Sequence, residues 1–206
     1  SMIAVNVLNP RSDKILFDLC AAPGGKSFYS SYLMNNKGEI HSFDIYDHKI
    51  ELMNSGIKRL GLENINCKLG NAEIYYEDKR DKADLILIDA PCSGFGMLRK
   101  KPDIKYSKQY RDIENLVKIQ RNILKVASSY VKIGGSIVYS TCTISKKENI
   151  ENVNWFLENF NFELEDISEY LPDSIDEKTA KNGFIQILPS EYNTDGFFIA
   201  RFIRKG

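Results

Sequence analysis

The stretch Asp18-Leu-Cys-Ala-Ala-Pro-Gly-Gly-Lys26 decides the fold, because it joins a short apolar run to an amphipathic one through a turn of small residues. The apolar run at 15–19 is typical of a buried strand, and residues 25–34 are predicted to form a helix. Two glycines let a ligand approach the backbone closely, and a helix N-terminus offers unpaired N–H groups. The turn therefore predicts a ligand site after the first strand, with a purely structural tight turn as the alternative.

Spacing excludes two common nucleotide-binding loops at this turn. A P-loop needs glycine six positions before its lysine, where this chain has Cys20, and the GxGxxG dinucleotide fingerprint is absent. The remaining candidate ligand is a cofactor that carries a carboxylate and a nucleoside. Asp44 ends the second predicted strand and can accept hydrogen bonds from ribose hydroxyls.

Apolar and amphipathic segments alternate along the chain. Helices are predicted over 25–34, 47–60, 113–131 and 146–159, and strands over 15–19, 39–45, 64–69, 85–89, 136–140, 184–188 and 197–203. Continuous apolar strands that alternate with helices indicate an α/β fold, with a mostly parallel sheet and helices on both faces. In such sheets ligands bind beyond the carboxyl ends of the strands, where the unusual motifs of this chain fall.

Two cysteine motifs follow the fourth and fifth of these strands. They are Asp89-Ala-Pro-Cys-Ser-Gly94 and Tyr139-Ser-Thr-Cys-Thr143. If the two strands are neighbours, Cys92 and Cys142 share one cleft. The alternative is that both cysteines are inert small hydrophobic residues.

Methylation of cytosine at carbon 5 requires a nucleophilic residue such as a cysteine, because that carbon is itself a poor nucleophile. A thiolate that adds to carbon 6 makes carbon 5 enamine-like, so that carbon 5 can attack an electrophilic methyl group. An acid near ring nitrogen 3 assists the addition, and Asp89 is placed to serve. A base must finally remove the carbon 5 proton so that the enzyme is expelled.

Composition is that of an ordinary globular domain. The 206 residues are 43% hydrophobic and 27% charged, with a formal net charge of zero. Apolar runs are too short for a membrane span, and the four cysteines form no CxxC pair, so neither a membrane nor a metal site is expected.

Charge is unevenly distributed along the chain. Residues 99–125 hold nine Lys/Arg against three Asp/Glu, and residues 148–177 hold ten acidic residues and no basic ones. One interpretation is a basic lip that meets phosphates, with an acidic face turned away from the nucleic acid. The other is two solvated faces of opposite sign.

Together the three motifs resemble the RNA 5-methylcytosine methyltransferases of the Nop/Sun type. Arg99-Lys-Lys-Pro-Asp-Ile-Lys-Tyr106 is similar to the bacterial Sun (RsmB-like) branch, which acts on small-subunit ribosomal RNA, and Asp195-Gly-Phe-Phe-Ile-Ala-Arg201 resembles a late strand motif of that family. The resemblance implies a Rossmann-like S-adenosylmethionine-dependent methyltransferase fold with a seven-stranded sheet.

The resemblance also implies a role for each matching residue. Cys142 is the nucleophile, Cys92 assists product release, and Asp89 faces the methionine end of S-adenosylmethionine and the target base. Asp44 holds the ribose, and Asn71 lies near the adenine, where the family usually has an acid. The loop that lines the S-adenosylmethionine site is Cys20, Ala21, Ala22, Pro23, Gly24, Gly25 and Lys26, and Lys26 also reaches the active site. The residues expected to touch RNA phosphates are Arg99, Lys100, Lys101 and Lys105.

Residues 1–206 are therefore expected to form one catalytic domain, without the N-terminal RNA-binding part of the family. We expect a cytoplasmic monomer that methylates RNA, with ribosomal RNA as the target. Two alternatives stay open: a transfer RNA methyltransferase, and a non-catalytic RNA-binding ribosome assembly factor of the same fold. The intact cysteines argue against the second alternative.

Overall fold

The computed structural model describes residues 2–100, 103, 110–175 and 178–206. Its helices are α1 (Met2–Leu8), α2 (Gly25–Leu33), α3 (Asp47–Leu60), α4 (Tyr110–Tyr130), α5 (Ile150–Asn159) and α6 (Pro189–Tyr192). Its strands are β1 (Ile15–Asp18), β2 (Glu39–Asp44), β3 (Ile65–Leu69), β4 (Ala83–Asp89), β5 (Val131–Thr141), β6 (Phe162–Leu164), β7 (Phe184–Ile187) and β8 (Phe197–Arg204). Among the helices in these ranges, none has the length and apolar character needed to cross a membrane.

The strands form one sheet in the order β3-β2-β1-β4-β5-β8-β6, with β7 also paired to β8. Strands β1 to β5 pair in parallel, whereas β8 runs antiparallel to its neighbours. The predicted α/β fold with a mostly parallel sheet is confirmed, but the expected seven strands are eight in the described residues. Two short strands share one edge of β8, because β6 pairs with its end at Arg204 and β7 pairs with its start at Phe197.

Helices cover both faces of this sheet because its central strands are apolar on both sides. Along β4, Ile86 and Ile88 belong to one buried cluster, and Leu85 and Leu87 belong to the other. Side chains of α4 and α5 fill the first cluster, whereas α1 contributes four buried residues to the second. Since strand side chains alternate between faces, this pattern fixes which residues of each strand face which helices.

Two element boundaries differ from those predicted. Strand β5 begins at Val131, directly after α4, and continues through Gly134, whose φ of 75° is accessible to glycine. Its pairing with β4 shifts register between Ala83 and Leu85, so the predicted strand at 136–140 is only the regular part. Helix α5 begins at Ile150 rather than 146, because residues 145–149 form a turn that brings Glu148 and Asn149 into the interior.

Candidate active site

A cavity of about 360 Å³ opens beyond the carboxyl ends of β1, β2 and β4. This volume lies within the usual range of small-molecule sites. Part of its lining is polar, with Asp44 and Asn71, which we call the polar wall, and part is apolar, with Ile119 and Ile123 from α4. The predicted cofactor residues on its lining are Cys20, Ala22, Asp44, Asn71 and Asp89. We refer to it as the cofactor cavity.

The loop between β1 and α2 shapes one side of the cofactor cavity. Gly24 precedes α2 with a φ of 104°, and a Cβ atom there would lie 2.5 Å from the ring of Phe28, so only glycine fits. The backbone N–H of Ala21 donates to the carbonyl of Phe43 at 2.9 Å, which ties the loop to β2. No side chain caps the N-terminus of α2. The turn therefore presents a helix N-terminus beside the cavity, as a ligand carboxylate requires.

Asp18 supports this loop from below and is completely buried. Its Oδ2 accepts a hydrogen bond from the hydroxyl of Ser27 at 2.6 Å, and Ser27 in turn lies 2.9 Å from the hydroxyl of Ser42. Its Oδ1 is buried without a hydrogen-bond partner among the described residues. Desolvation raises the pKa of Asp18 to about 7, although the hydrogen bond from Ser27 opposes this. Asp18 thus joins β1, α2 and β2 beneath the loop.

Asp44 and Asn71 lie on the polar wall. The carboxylate of Asp44 accepts hydrogen bonds from the backbone N–H groups of Ala22 at 3.3 Å and Tyr46 at 3.2 Å, and it lies 3.6 Å from Nζ of Lys49. The side-chain oxygen of Asn71 accepts a hydrogen bond from the N–H of Glu73 at 2.9 Å. Both side chains are held in place by the backbone before any ligand arrives.

A second cavity of about 730 Å³ adjoins the first. Lys26, Cys142 and the ring of Phe197 line it, and Asp89 lines both cavities. We call it the substrate cavity. Asp89 is therefore the residue at which the two cavities border each other.

Asp89 is held at this junction by two partners. Nζ of Lys26 contacts its Oδ2 at 2.5 Å, and the hydroxyl of Ser140 donates to its Oδ1 at 2.9 Å. The Lys26 ammonium also lies 5.9 Å from the centre of the Phe197 ring. The ion pair thus places a proton-bearing group and a carboxylate together on the wall of the substrate cavity.

The two predicted cysteines are in contact at the same junction. Sγ of Cys92 lies 3.1 Å from Sγ of Cys142, and both thiols are free. The pKa of Cys142 is lowered, mainly because the Cys92 thiol donates a hydrogen bond to its sulfur, and the charge of Lys26 contributes. The pKa of Cys92 is raised, first by that same hydrogen bond and then by burial. Of the two cysteines, Cys142 is therefore the one whose ionisation this contact favours.

The predicted RNA-contacting residues are only partly described. Nη1 of Arg99 donates to the side-chain oxygen of Asn193, and Nζ of Lys100 contacts Asp195 at 2.6 Å on the rim of the substrate cavity. Lys101 and Lys105 lie outside the described residues. Within the described ranges there is no cluster of three or more side chains suited to a metal ion.

Sequence reasoning missed two residues of this site. Phe197 offers an aromatic face to the substrate cavity, whereas in the sequence it stands out only as part of a late strand motif. Glu148 was counted within the acidic face, which is wrong for this residue because it is completely buried. Residue 148 falls within the helix predicted over 146–159, so the sequence carried no signal of its burial.

Comparison with known proteins identifies the family. The sequence model described as "16S rRNA methyltransferase RsmB/F" matches residues 5–203. The chain belongs to the RsmB/F methyltransferase family. Among RsmB/F relatives, it is 42% identical over its whole length to the probable ribosomal RNA small subunit methyltransferase B of Bacillus subtilis, covering 46% of that protein. It is 34% identical over 98% of its length to the tRNA (cytosine(72)-C(5))-methyltransferase of Pyrococcus horikoshii, covering 50% of that protein.

Solved structures agree with the RsmB/F assignment. NSun6 from Pyrococcus horikoshii with SFG has a TM-score of 0.85 and 32% identity, over 100% of this chain and 51% of that one. A methyltransferase homologue from the same organism has a TM-score of 0.83 and 30% identity, over 98% and 65%. The chain thus spans about half the length of the curated relatives it matches. The family and the Rossmann-like methyltransferase fold are confirmed, and the predicted S-adenosylmethionine cofactor agrees with both.

Proposed function

We propose that this chain carries the catalytic centre for methylation of carbon 5 of a cytosine in RNA, with S-adenosylmethionine as methyl donor and Cys142 as nucleophile. The observation that carries the proposal is the contact between Cys92 and Cys142 beside Asp89, where two cavities meet. An inert pair of core cysteines would not place one sulfur on the wall of a cavity, as Cys142 does, next to the Lys26–Asp89 ion pair.

The cofactor cavity fits S-adenosylmethionine. The carboxylate of Asp44 would hold the ribose hydroxyls, and Asn71 would lie near the adenine, with Ile119 and Ile123 of α4 on the same cavity lining. The uncapped N-terminus of α2 would hold the cofactor carboxylate, because the macrodipole favours negative charge there. When bound, S-adenosylmethionine supplies an electrophilic methyl group that carbon 5 of the base attacks.

The chain's own residues perform the remaining chemistry. The Cys142 thiolate forms a bond to carbon 6, and the electrons of the carbon 5–carbon 6 double bond shift into the ring. Ring nitrogen 3 takes a proton from the Lys26–Asp89 pair, which makes carbon 5 nucleophilic. After methylation the pair recovers that proton, the carbon 5 proton leaves to solvent, and the carbon 6–sulfur bond breaks. The Cys92 thiol stabilises the departing thiolate by returning its hydrogen bond.

Ribosomal RNA is the proposed substrate class. The family description and the relative of 42% identity, both named for the small ribosomal subunit, support it. A transfer RNA is the second candidate, since a relative of 34% identity is named for cytosine 72 of tRNA.

Adduct trapping tests the proposal. Purified protein is incubated with S-adenosylmethionine carrying a labelled methyl group and with small-subunit ribosomal RNA or transfer RNA, and label in 5-methylcytosine is measured. Cys92→Ala should accumulate a covalent protein–RNA adduct stable in denaturing gels, whereas Cys142→Ala should form none.

Cys67→Ala is the matched control, because Cys67 is a half-buried cysteine on β3, outside both cavities. It should methylate RNA as the wild type does and form no adduct. An adduct in Cys142→Ala would reverse the roles of the two cysteines. Wild-type protein that binds S-adenosylmethionine but labels neither RNA would contradict the proposal.

A further inference from the structure

One completely buried carboxylate lies behind the two cysteines. Oε1 of Glu148 accepts hydrogen bonds from the backbone N–H of Ser93 at 2.8 Å and from Nε2 of Gln120 at 3.1 Å. Oε2 accepts hydrogen bonds from the hydroxyl of Ser93 at 2.6 Å and that of Thr143 at 3.4 Å. A buried carboxylate is costly unless several donors satisfy it, and here both oxygens are satisfied.

The donors come from the two catalytic loops. Ser93 directly follows Cys92 in the loop after β4, and Thr143 directly follows Cys142 in the loop after β5. The hydroxyls of Ser93 and Thr143 also contact each other at 2.8 Å. Glu148 therefore binds both loops one residue away from the sulfur atoms, without lining either cavity.

Other buried amides hold Glu148 and these loops from the helix side. Gln120 of α4 donates to the carbonyl of Pro91 at 2.9 Å and accepts from Asn152 of α5 at 2.8 Å. Asn149 accepts from the hydroxyl of Thr141 at 2.6 Å and donates to the carbonyl of Thr143 at 2.9 Å. The residues flanking each cysteine are thus tied to a network that is closed to solvent.

We propose that Glu148 is a positioning residue, which keeps the sulfur atoms of Cys92 and Cys142 in contact by holding the loops that carry them. The inference rests on the proposed function, because the contact matters only if Cys142 is the nucleophile. Without Glu148, the N–H and hydroxyl of Ser93 lose their buried acceptor and the Cys92 loop moves to find another. The hydrogen bond that favours the Cys142 thiolate is then lost.

Three substitutions separate this role from general destabilisation. Glu148→Ala removes every hydrogen bond that runs from the two loops to the carboxylate. Glu148→Gln keeps them, because an amide oxygen can accept from Ser93 N–H and Gln120, and its nitrogen can donate to the rotatable hydroxyls of Ser93 and Thr143. Ser93→Ala removes only the links through its hydroxyl and serves if Glu148→Ala does not fold. Ser31→Ala is the matched control, since Ser31 is a buried serine of α2 bonded to Asn64, just before β3, at 2.6 Å.

The readout is the pH profile of Cys142 alkylation by iodoacetamide, followed on its peptide by mass spectrometry without RNA or cofactor. At pH 7 we expect Glu148→Ala and Ser93→Ala to react about tenfold more slowly than the wild type, since a hydrogen bond to a charged group is lost. The Glu148→Gln and Ser31→Ala profiles should match the wild type.

Two results would overturn the inference: an unchanged profile in Glu148→Ala and in Ser93→Ala, or a Glu148→Gln profile as slow as that of Glu148→Ala. Because the assay contains no RNA, it remains informative if the proposed methylation fails. If the alkylation profiles are as expected but the wild type never methylates RNA, the proposed function is contradicted, whereas the positioning role of Glu148 is still supported.

Discussion

Replacing Asp18 by Asn should change how the stability of this protein depends on pH. Asp18 is completely buried beneath the cofactor loop, and its pKa rises from the ordinary 3.8 to about 7, chiefly because burial penalises the charged form. Between these two values the folded state keeps a proton that the unfolded state has released. The free energy that this group contributes to folding is therefore fully present below about pH 4 and is lost as the pH rises through 7.

The size of the effect follows from that pKa difference. One pKa unit corresponds to 1.36 kcal/mol, so the full difference amounts to about 4 kcal/mol. Across the accessible range from pH 5 to pH 8, about 2.5 kcal/mol of it should be lost. Asparagine is always neutral, and its amide oxygen can still accept the hydrogen bond from Ser27. The stability of Asp18→Asn should therefore not show this pH-dependent loss of about 2.5 kcal/mol.

Urea unfolding of both proteins at pH 5, 6, 7 and 8 measures the effect. The free energy of unfolding of Asp18→Asn minus that of the wild type should rise by about 2.5 kcal/mol over this range, because all other titrating groups cancel. Asp13→Asn, which alters an exposed carboxylate, is the matched control and should give a flat difference. A flat difference for Asp18→Asn would refute the reasoning, since it would mean that the carboxyl is ionised in the folded protein at pH 5.

Two further predictions concern the ligands. Asp44→Asn should weaken S-adenosylmethionine binding about tenfold or more in calorimetry, because the ribose loses a charged acceptor. The control Asp47→Asn, in the exposed first turn of α3, should not weaken binding. If Asp44→Asn binds S-adenosylmethionine as tightly as the wild type does, Asp44 does not hold the ribose. Lys100→Gln should reduce the steepness of log affinity for RNA against log salt concentration by about 1, because one cation on the rim of the substrate cavity is lost. An unchanged slope would mean that Lys100 contacts Asp195 but no RNA phosphate.

The positions of the candidate catalytic and cofactor residues at strand ends could be predicted, because the sequence pattern that marks a strand end spans only a few neighbouring residues. A parallel strand buried on both faces is an unbroken apolar run, and such runs end at Asp18 and Asp89, whereas the strand that ends at Asp44 also carries His41 and Ser42. Strand β6 gave no such signal, since its three residues form a strand only by pairing with the distant end of β8. Its absence from the prediction accounts for the expected seven strands.

Glu148 was misplaced for a different reason. Sequence counting treats every glutamate in an acidic stretch as solvated, and helical periodicity extended α5 back to residue 146. Helix α5 begins only at Ile150, because Glu148 bonds inward to Ser93, a partner 55 residues earlier in the chain. A carboxylate can be buried only where the folded chain supplies hydrogen-bond donors to it. Neither composition nor periodicity reports those donors, so neither could reveal that Glu148 is buried.

The register between β4 and β5 explains why chemistry can be concentrated at one point. Asp89 pairs with Ser140, whose hydroxyl donates to it, and Cys142 lies two residues further along β5 and its following loop. The register shift between these strands falls at Ala83 and Leu85, at the opposite end of β4, so the pairing at Asp89 stays regular. A slip of one residue would turn each side chain to the other face of the sheet. The contact between Cys92 and Cys142 therefore depends first on strand pairing, and Glu148 adjusts only the loops beyond it.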